Sequence, residues 1–187
     1  DLTPNRGDCF SVLGIARELA AVSNKKIKKD SNRLKASKLS PKSKVKISAK
    51  AACPRYSFIE IYNLDNTKNL PSFIKERLEA GGINSINPVV DILNYVMLDL
   101  GQPMHAFDLN KIGKQINVRF AKPKEKILLL DESSKVLNDK CLVISDEKEP
   151  LAFAGIMGGI NSSVSATTDS VFIAVSYTHL TLPTSSV

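Results

Sequence analysis

A chain of 187 residues that is 43% apolar is expected to bury its own core as one or two domains, without help from disulfides or metal. Its net charge of +7 is local: residues 1–55 carry 14 Lys and Arg against four Asp and Glu, and the remainder is mildly acidic. No apolar run approaches the roughly 18 residues of a membrane span, and no charged-then-apolar leader precedes a cleavage site, which argues against membrane and secreted classes and for the cytoplasm. Cys9, Cys53 and Cys141 are odd in number and form no C-x-x-C pair, against a disulfide framework or structural zinc. Because the chain starts at Asp1 rather than Met, it is expected to be a fragment.

In chain order, residues 1–8 are turn chemistry, with Pro4 fixing φ and Asn5 and Gly7 tolerating left-handed backbone. Val12, Leu13, Ile15, Ala16, Leu19, Ala20 and Val22 recur at helical spacing and predict an amphipathic helix that needs a partner surface. Residues 1–24 thus read as the end of a preceding region. Lys25 to Lys50 holds eleven Lys and Arg, one acid (Asp30) and almost no aromatics. That composition suits a solvated linker, placed at 25–53, or a strand edge; a phosphate-contacting tether is the functional alternative. Ser57–Tyr62 alternates as a strand, and Pro71–Ala80 is a short helix stopped by Gly81 and Gly82. A second helix begins near Asn87 and Pro88. It is apolar nearly all round and is therefore expected to be buried, with Asp91, Asn94 and Asp99 needing partners. Residues 115–121, 126–130, 141–145 and 151–154 read as strands separated by polar turns, so the class is α+β.

Three places could carry chemistry. Gly101–Asp108 puts His105 just past a helix end on a loop edge, where a lone His is either structural or functional. Ala154–Gly159 packs three glycines into five residues after a strand, which marks a bulged hairpin turn or a close approach of backbone to ligand. It lacks the G-x-x-x-x-G-K-[ST] pattern of a phosphate loop. Asn94 sits on the apolar helix and, if buried without a partner, would cost about 1–3 kcal/mol.

The strings Thr3–Glu18, Asn87–Val96, Gly101–Asp108 and Ala154–Gly159, in this order and spacing, resemble the β subunit of bacterial phenylalanyl-tRNA synthetase. The resemblance implies that residues 54–174 form a truncated editing domain, with a β-sandwich-like core and packed helices in three layers. It implies hydrolysis of mischarged tyrosyl-tRNA(Phe) by a held water rather than a covalent nucleophile. Such repair is needed because a pocket for an aromatic ring rejects an added hydroxyl by only about 100-fold. By resemblance His105 and Asn94 act in catalysis, while Pro103, Met104, Ala106, Gly155, Gly158 and Gly159 bind substrate. Contacts with tRNA would come from Lys25, Lys26, Lys28 and Lys29, and from Asn84, which stands where many bacterial members have Arg. The parent would be an α2β2 ligase with tRNA(Phe) and an α subunit as partners. Its ATP and Mg2+ are expected to bind elsewhere, leaving no cofactor or metal for these residues. The alternatives are a non-catalytic RNA-binding or structural module, or a freestanding deacylase relative.

The resemblance breaks at residue 174. Family members carry Glu there, whose carboxylate accepts the tyrosine hydroxyl, whereas this chain has Ala174. Written back as codons, Val175–Val187 resembles a transposase sequencing adapter carried into the reading frame. Residues 175–187 are therefore expected not to be biological, and the specificity acid to be missing.

Overall fold

The computed structural model describes residues 2–28 and 40–177, which separate into two compact units. Among the described residues, those up to Ser40 together with Thr67–Met104 form a helical unit, and Pro41–Asn66 with His105–Tyr177 form a sheet unit. The second unit is thus assembled from two stretches of chain with residues 67–104 inserted between them.

In the helical unit, α1 (Val12–Val22) starts where the Ser11 hydroxyl accepts the Gly14 amide at 2.9 Å. α2 (Ser72–Ala80) buries Ile74 and Leu78 and ends at Gly81, as the pattern predicts. α3 (Pro88–Leu100) is capped by Asn87, whose side chain accepts the Val90 amide at 3.1 Å, and the pre-set φ of Pro88 opens its first turn. Gly101 closes it at φ 76°, its amide donating to the Met97 carbonyl at 2.8 Å. The expected burial of α3 requires correction. Only Asp91 and Leu93 are buried, and Ile92 and Leu100 are 43% and 52% exposed. Within this unit the short helices α1 and α2 pack on α3, and they shield one side of a helix that is apolar on most of its circumference. Asp91 does find partners: its carboxylate accepts the Ile86 amide at 2.8 Å and the Ser85 hydroxyl. The apolar residues of α1 stay largely outside, with Val12, Leu19 and Val22 at 57%, 64% and 88% exposure.

The described residues of the sheet unit form ten strands: β1 (Lys44–Ile47), β2 (Arg55–Ile61), β3 (His105–Asp108), β4 (Gln115–Phe120), β5 (Lys126–Leu128), β6 (Ser134–Val136), β7 (Leu142–Ser145), β8 (Pro150–Phe153), β9 (Met157–Gly158) and β10 (Val171–Tyr177). They form a five-stranded sheet in the order β1-β4-β7-β8-β9, a three-stranded sheet β2-β10-β3 and the hairpin β5-β6. One core joins the two larger sheets. Ile116, Val118, Ile144, Leu151 and Ala152 from the first meet Phe107, Phe172 and Ala174 from the second, with Cys53 among them. Phe58 and Phe172 stack with ring centroids 4.8 Å apart.

Two sequence expectations change here. The stretch read as a linker to residue 53, or as a strand edge, contains β1, which pairs parallel with β4 from Lys44 opposite Gln115 to Ile47 opposite Val118 at one end of the five-stranded sheet, so the strand-edge reading holds for these four residues. Val45 and Ile47 pack on the core while Lys44 and Lys46 stay outside, so a dense run of charge still carries a half-buried strand. His105, placed by the sequence on a loop edge, instead opens β3. β10 continues past Ala174, pairing Val175, Ser176 and Tyr177 with Ser57, Tyr56 and Arg55 of β2.

Candidate functional site

Strand β3, at the edge of the three-stranded sheet, carries three consecutive buried residues, Ala106, Phe107 and Asp108, and His105 precedes them directly. β3 pairs with β10 so that His105 lies opposite Ala174 and Phe107 opposite Phe172. The imidazole packs edge-on against the Phe107 ring, with centroids 4.6 Å apart. On its other side is Gly158. A Cβ built there would come within 2.4 Å of the imidazole Cε1 and 2.5 Å of Nε2, so this close packing requires glycine. The strand end is fixed by Asp108, whose carboxylate accepts the buried Thr168 hydroxyl at 2.6 Å and the Asn110 amide at 2.9 Å.

The electrostatics of His105 follow from this packing. Its Nε2 is buried and has no hydrogen-bond partner among the described residues. Burial disfavours the charged ring and lowers its pKa from 6.5 to about 4, so the imidazole is neutral at physiological pH. A neutral imidazole with such a low pKa is a weak proton acceptor. It can still hydrogen-bond a water or a carbonyl oxygen through Nε2. A polar nitrogen left unpaired in a buried setting costs free energy, which a bound polar atom would recover.

The glycine run is a hairpin. Phe153 of β8 pairs with Met157 of β9, and Ala154, Gly155 and Ile156 form the loop, closed by the Ile156 amide donating to Phe153 at 3.0 Å. Gly155 is exposed with φ 74°. Gly158 and Gly159 are buried, and the Gly159 amide donates to the Leu151 carbonyl at 2.8 Å, so that donor serves the sheet. The structure therefore brings together His105 and Gly158, with Ala106 and Gly159 in the same sheet unit. Asn94, Pro103 and Met104 belong to the helical unit, where Asn94 is half-buried on α3, Pro103 is exposed and Met104 half-buried. Lys25, Lys26, Lys28 and Asn84 are exposed, and Lys29 lies outside the described residues.

Sequence reasoning missed the direct opposition of Ala174 and His105, because cross-strand register is not visible in local periodicity. It also missed Glu60 and Tyr62, although their two-residue spacing put them on one face: the Tyr62 hydroxyl donates to Glu60 at 2.5 Å. This bond raises the Tyr62 pKa to about 12. One group of possible metal ligands occurs in the helical unit, where Asp8, Cys9 and Glu18 place ligand atoms within 4.8 Å of one another. The Arg6 guanidinium already bridges it, 3.0 Å from Asp8 and 2.7 Å from Glu18, so its cation is an arginine.

The family model described as the B3/4 domain matches residues 52–183. The chain belongs to the B3/4 domain family. Its members among known proteins place it further. The chain is 49% identical over 177 residues to the phenylalanine–tRNA ligase β subunit of Legionella pneumophila (strain Paris), covering 95% of this chain and 22% of the relative. It is 47% identical over 177 residues to the same subunit of Coxiella burnetii, with the same coverage. The resemblance read from the four sequence strings is thereby borne out, and the chain spans about a fifth of the length of these relatives. A solved N-terminal fragment of the phenylalanyl-tRNA synthetase β subunit from Pyrococcus horikoshii shares the fold, with a TM-score of 0.55 at 18% identity over 92% of this chain and 52% of that one. Among the described residues no helix is long and apolar enough to cross a membrane.

Proposed function

We propose that this B3/4 domain is the editing hydrolase of a phenylalanine–tRNA ligase β subunit, acting on tyrosyl-tRNA(Phe) within a cytoplasmic parent enzyme that also holds an α subunit. The observation that carries this reading is the buried, neutral and unpartnered Nε2 of His105 packed against Gly158. In the reaction, water adds to the ester carbonyl carbon, the bond from that carbon to the ribose oxygen breaks, and the ribose oxygen leaves with a proton. His105 is suited to orient the water or the carbonyl oxygen rather than to abstract the proton, since its pKa of about 4 lies well below the working pH. Ala106 and Gly155 of the sheet unit remain proposed substrate-binding residues, and Asn94, Pro103 and Met104 of the helical unit remain proposed site residues on the resemblance to the family alone. Lys25, Lys26, Lys28, Lys29 and Asn84 remain proposed tRNA contacts. ATP and Mg2+ are assigned to other parts of the parent.

The test is deacylation of tyrosyl-tRNA(Phe) by the full-length subunit assembled with its partner, carrying Glu at the position of Ala174. His105→Ala in that background is expected to slow hydrolysis at least tenfold while leaving aminoacylation unchanged. Equal hydrolysis rates would remove His105 from the site, and no hydrolysis in either protein would favour the non-catalytic RNA-binding module.

A further inference from the structure

Four lysines that the editing reading leaves unused lie at one edge of the five-stranded sheet. β1 is its outermost strand, and Lys44 and Lys46 point away from the core on the same face. Residues two apart on a strand are separated by about 7 Å, a distance comparable with that between neighbouring phosphates on an RNA strand. Gln115 and Asn117 of β4 stand beside these lysines in register, adding hydrogen-bonding groups to the same face. Where this edge begins, Lys42 and Lys114 flank a cleft of about 300 Å³ that also contains Glu60, Tyr62 and Asn110.

Among the described residues, the nearby acids form no direct ion pair with these lysines. Glu60 accepts the backbone amides of Lys42 and Ser43 at 2.7 and 2.8 Å and the Tyr62 hydroxyl. Glu147 accepts the Gln115 amide at 3.0 Å, Asp146 the Gly113 amide at 2.9 Å, and Asp169 the Asn110 side chain at 3.0 Å. Among the described residues, the ion pairs use Arg6, Lys111 and Arg119, and none involves Lys42, Lys44, Lys46 or Lys114. The Lys42 ammonium instead lies 4.8 Å from the centre of the Tyr62 ring. Edge lysines also discourage strand addition. That role needs charge on β1 alone and gives no reason for Lys114 and Lys42 at the cleft.

We propose that Lys42, Lys44, Lys46 and Lys114 form a phosphate-tracking contact for RNA, an assignment that rests on the editing reading for the identity of its occupant. The contact is electrostatic and sequence-independent, so each lysine displaces about one counterion and adds about one unit to the salt dependence of binding. The full-length native protein should be titrated with tRNA(Phe) between 50 and 200 mM salt, with light scattering on the same samples. Replacing both residues, Lys44→Gln and Lys46→Gln, is expected to flatten the slope of log K against log salt by about two. Lys135→Gln with Lys140→Gln, at exposed sites on other segments, is expected to leave it unchanged. An unchanged slope in the first pair overturns the proposal, and self-association of that variant would then mark the lysines as edge protection. Equal flattening in both pairs overturns it as well, since bulk charge would explain the binding. The editing reading is judged separately by deacylation: absent hydrolysis in the native protein, with the slope still flattened by the first pair, removes the editing reading and leaves the RNA contact standing.

Discussion

Ala174 faces His105 directly across the β10–β3 ladder, and the Nε2 of the imidazole it faces is buried without a hydrogen-bond partner among the described residues. Side chains at such paired positions have Cβ atoms about 4.5–5.5 Å apart, so a carboxylate introduced at 174 reaches the ring. An opposite charge at that range favours the imidazolium form. Ala174→Glu is therefore expected to raise the pKa of His105 by at least about one unit, whereas Ala174→Gln, of similar size and no charge, leaves it low. An NMR titration of the imidazole carbons in the three proteins measures this. The same titration pH for Ala174→Glu and the parent would show that the two side chains do not interact.

The depressed pKa of His105 has a consequence for acid stability. In the unfolded chain the imidazole titrates near 6.5, and in the folded state near 4, so between these values the unfolded chain binds more protons. Stability attributable to His105 is complete above pH 6.5, falls as the pH drops through this window, and levels off below pH 4. The expected loss is roughly 2 kcal/mol at pH 5 and roughly 3 kcal/mol by pH 4. Urea denaturation of the parent and of His105→Phe at pH 7 and pH 5 isolates this contribution from the carboxylates, which both proteins share. Parallel stability profiles would mean that His105 is not held neutral by burial.

Much of the helical framework was legible because its signals are local. Asn87 and Pro88 start α3, and Gly101 ends it in the left-handed conformation that glycine reaches without penalty. The sheet unit was less legible because its defining contacts join distant segments. The alternation Lys44-Val45-Lys46-Ile47 carries a strand, yet the surrounding lysines suggested solvent, and only pairing with β4 some 70 residues later shows otherwise. His105 opens a four-residue strand that is too short for periodicity to reveal, and its partners Gly158 and Ala174 meet it through tertiary structure. The glycine cluster did announce close approach of backbone, but its neighbour is a side chain of the protein itself.

The buried pair of Asp108 and Thr168 ties the end of β3 to the segment before β10, with the Thr168 hydroxyl also accepting the Ser165 amide at 2.9 Å. Valine has nearly the shape of threonine but cannot make either bond. Thr168→Val is expected to destabilise the fold by about 1–3 kcal/mol, since it strands a buried carboxylate oxygen and an amide. Thr168→Ser keeps the hydroxyl and is expected to cost about 1 kcal/mol through the lost methyl alone. Denaturation midpoints at constant slope compare the two, and equal losses would show that packing rather than hydrogen bonding holds this corner.

The contact between Gly158 and His105 can be isolated by a double-mutant cycle. A methyl group at 158 overlaps the imidazole, which would have to shift against the Phe107 ring on which it packs. Gly158→Ala is therefore expected to cost about 1–3 kcal/mol of stability through overpacking. In a His105→Ala background the overlapping atoms are gone and the same substitution should cost less, giving a coupling energy of at least about 1 kcal/mol. Gly159→Ala supplies the contrast: its Cβ would meet the Leu151 carbonyl oxygen at 2.8 Å, a backbone atom that His105→Ala does not move. Its cost should be independent of residue 105. Additive behaviour of Gly158→Ala and His105→Ala would show that the imidazole does not rest on Gly158 in solution, and would remove the packing that holds Nε2 in its buried position.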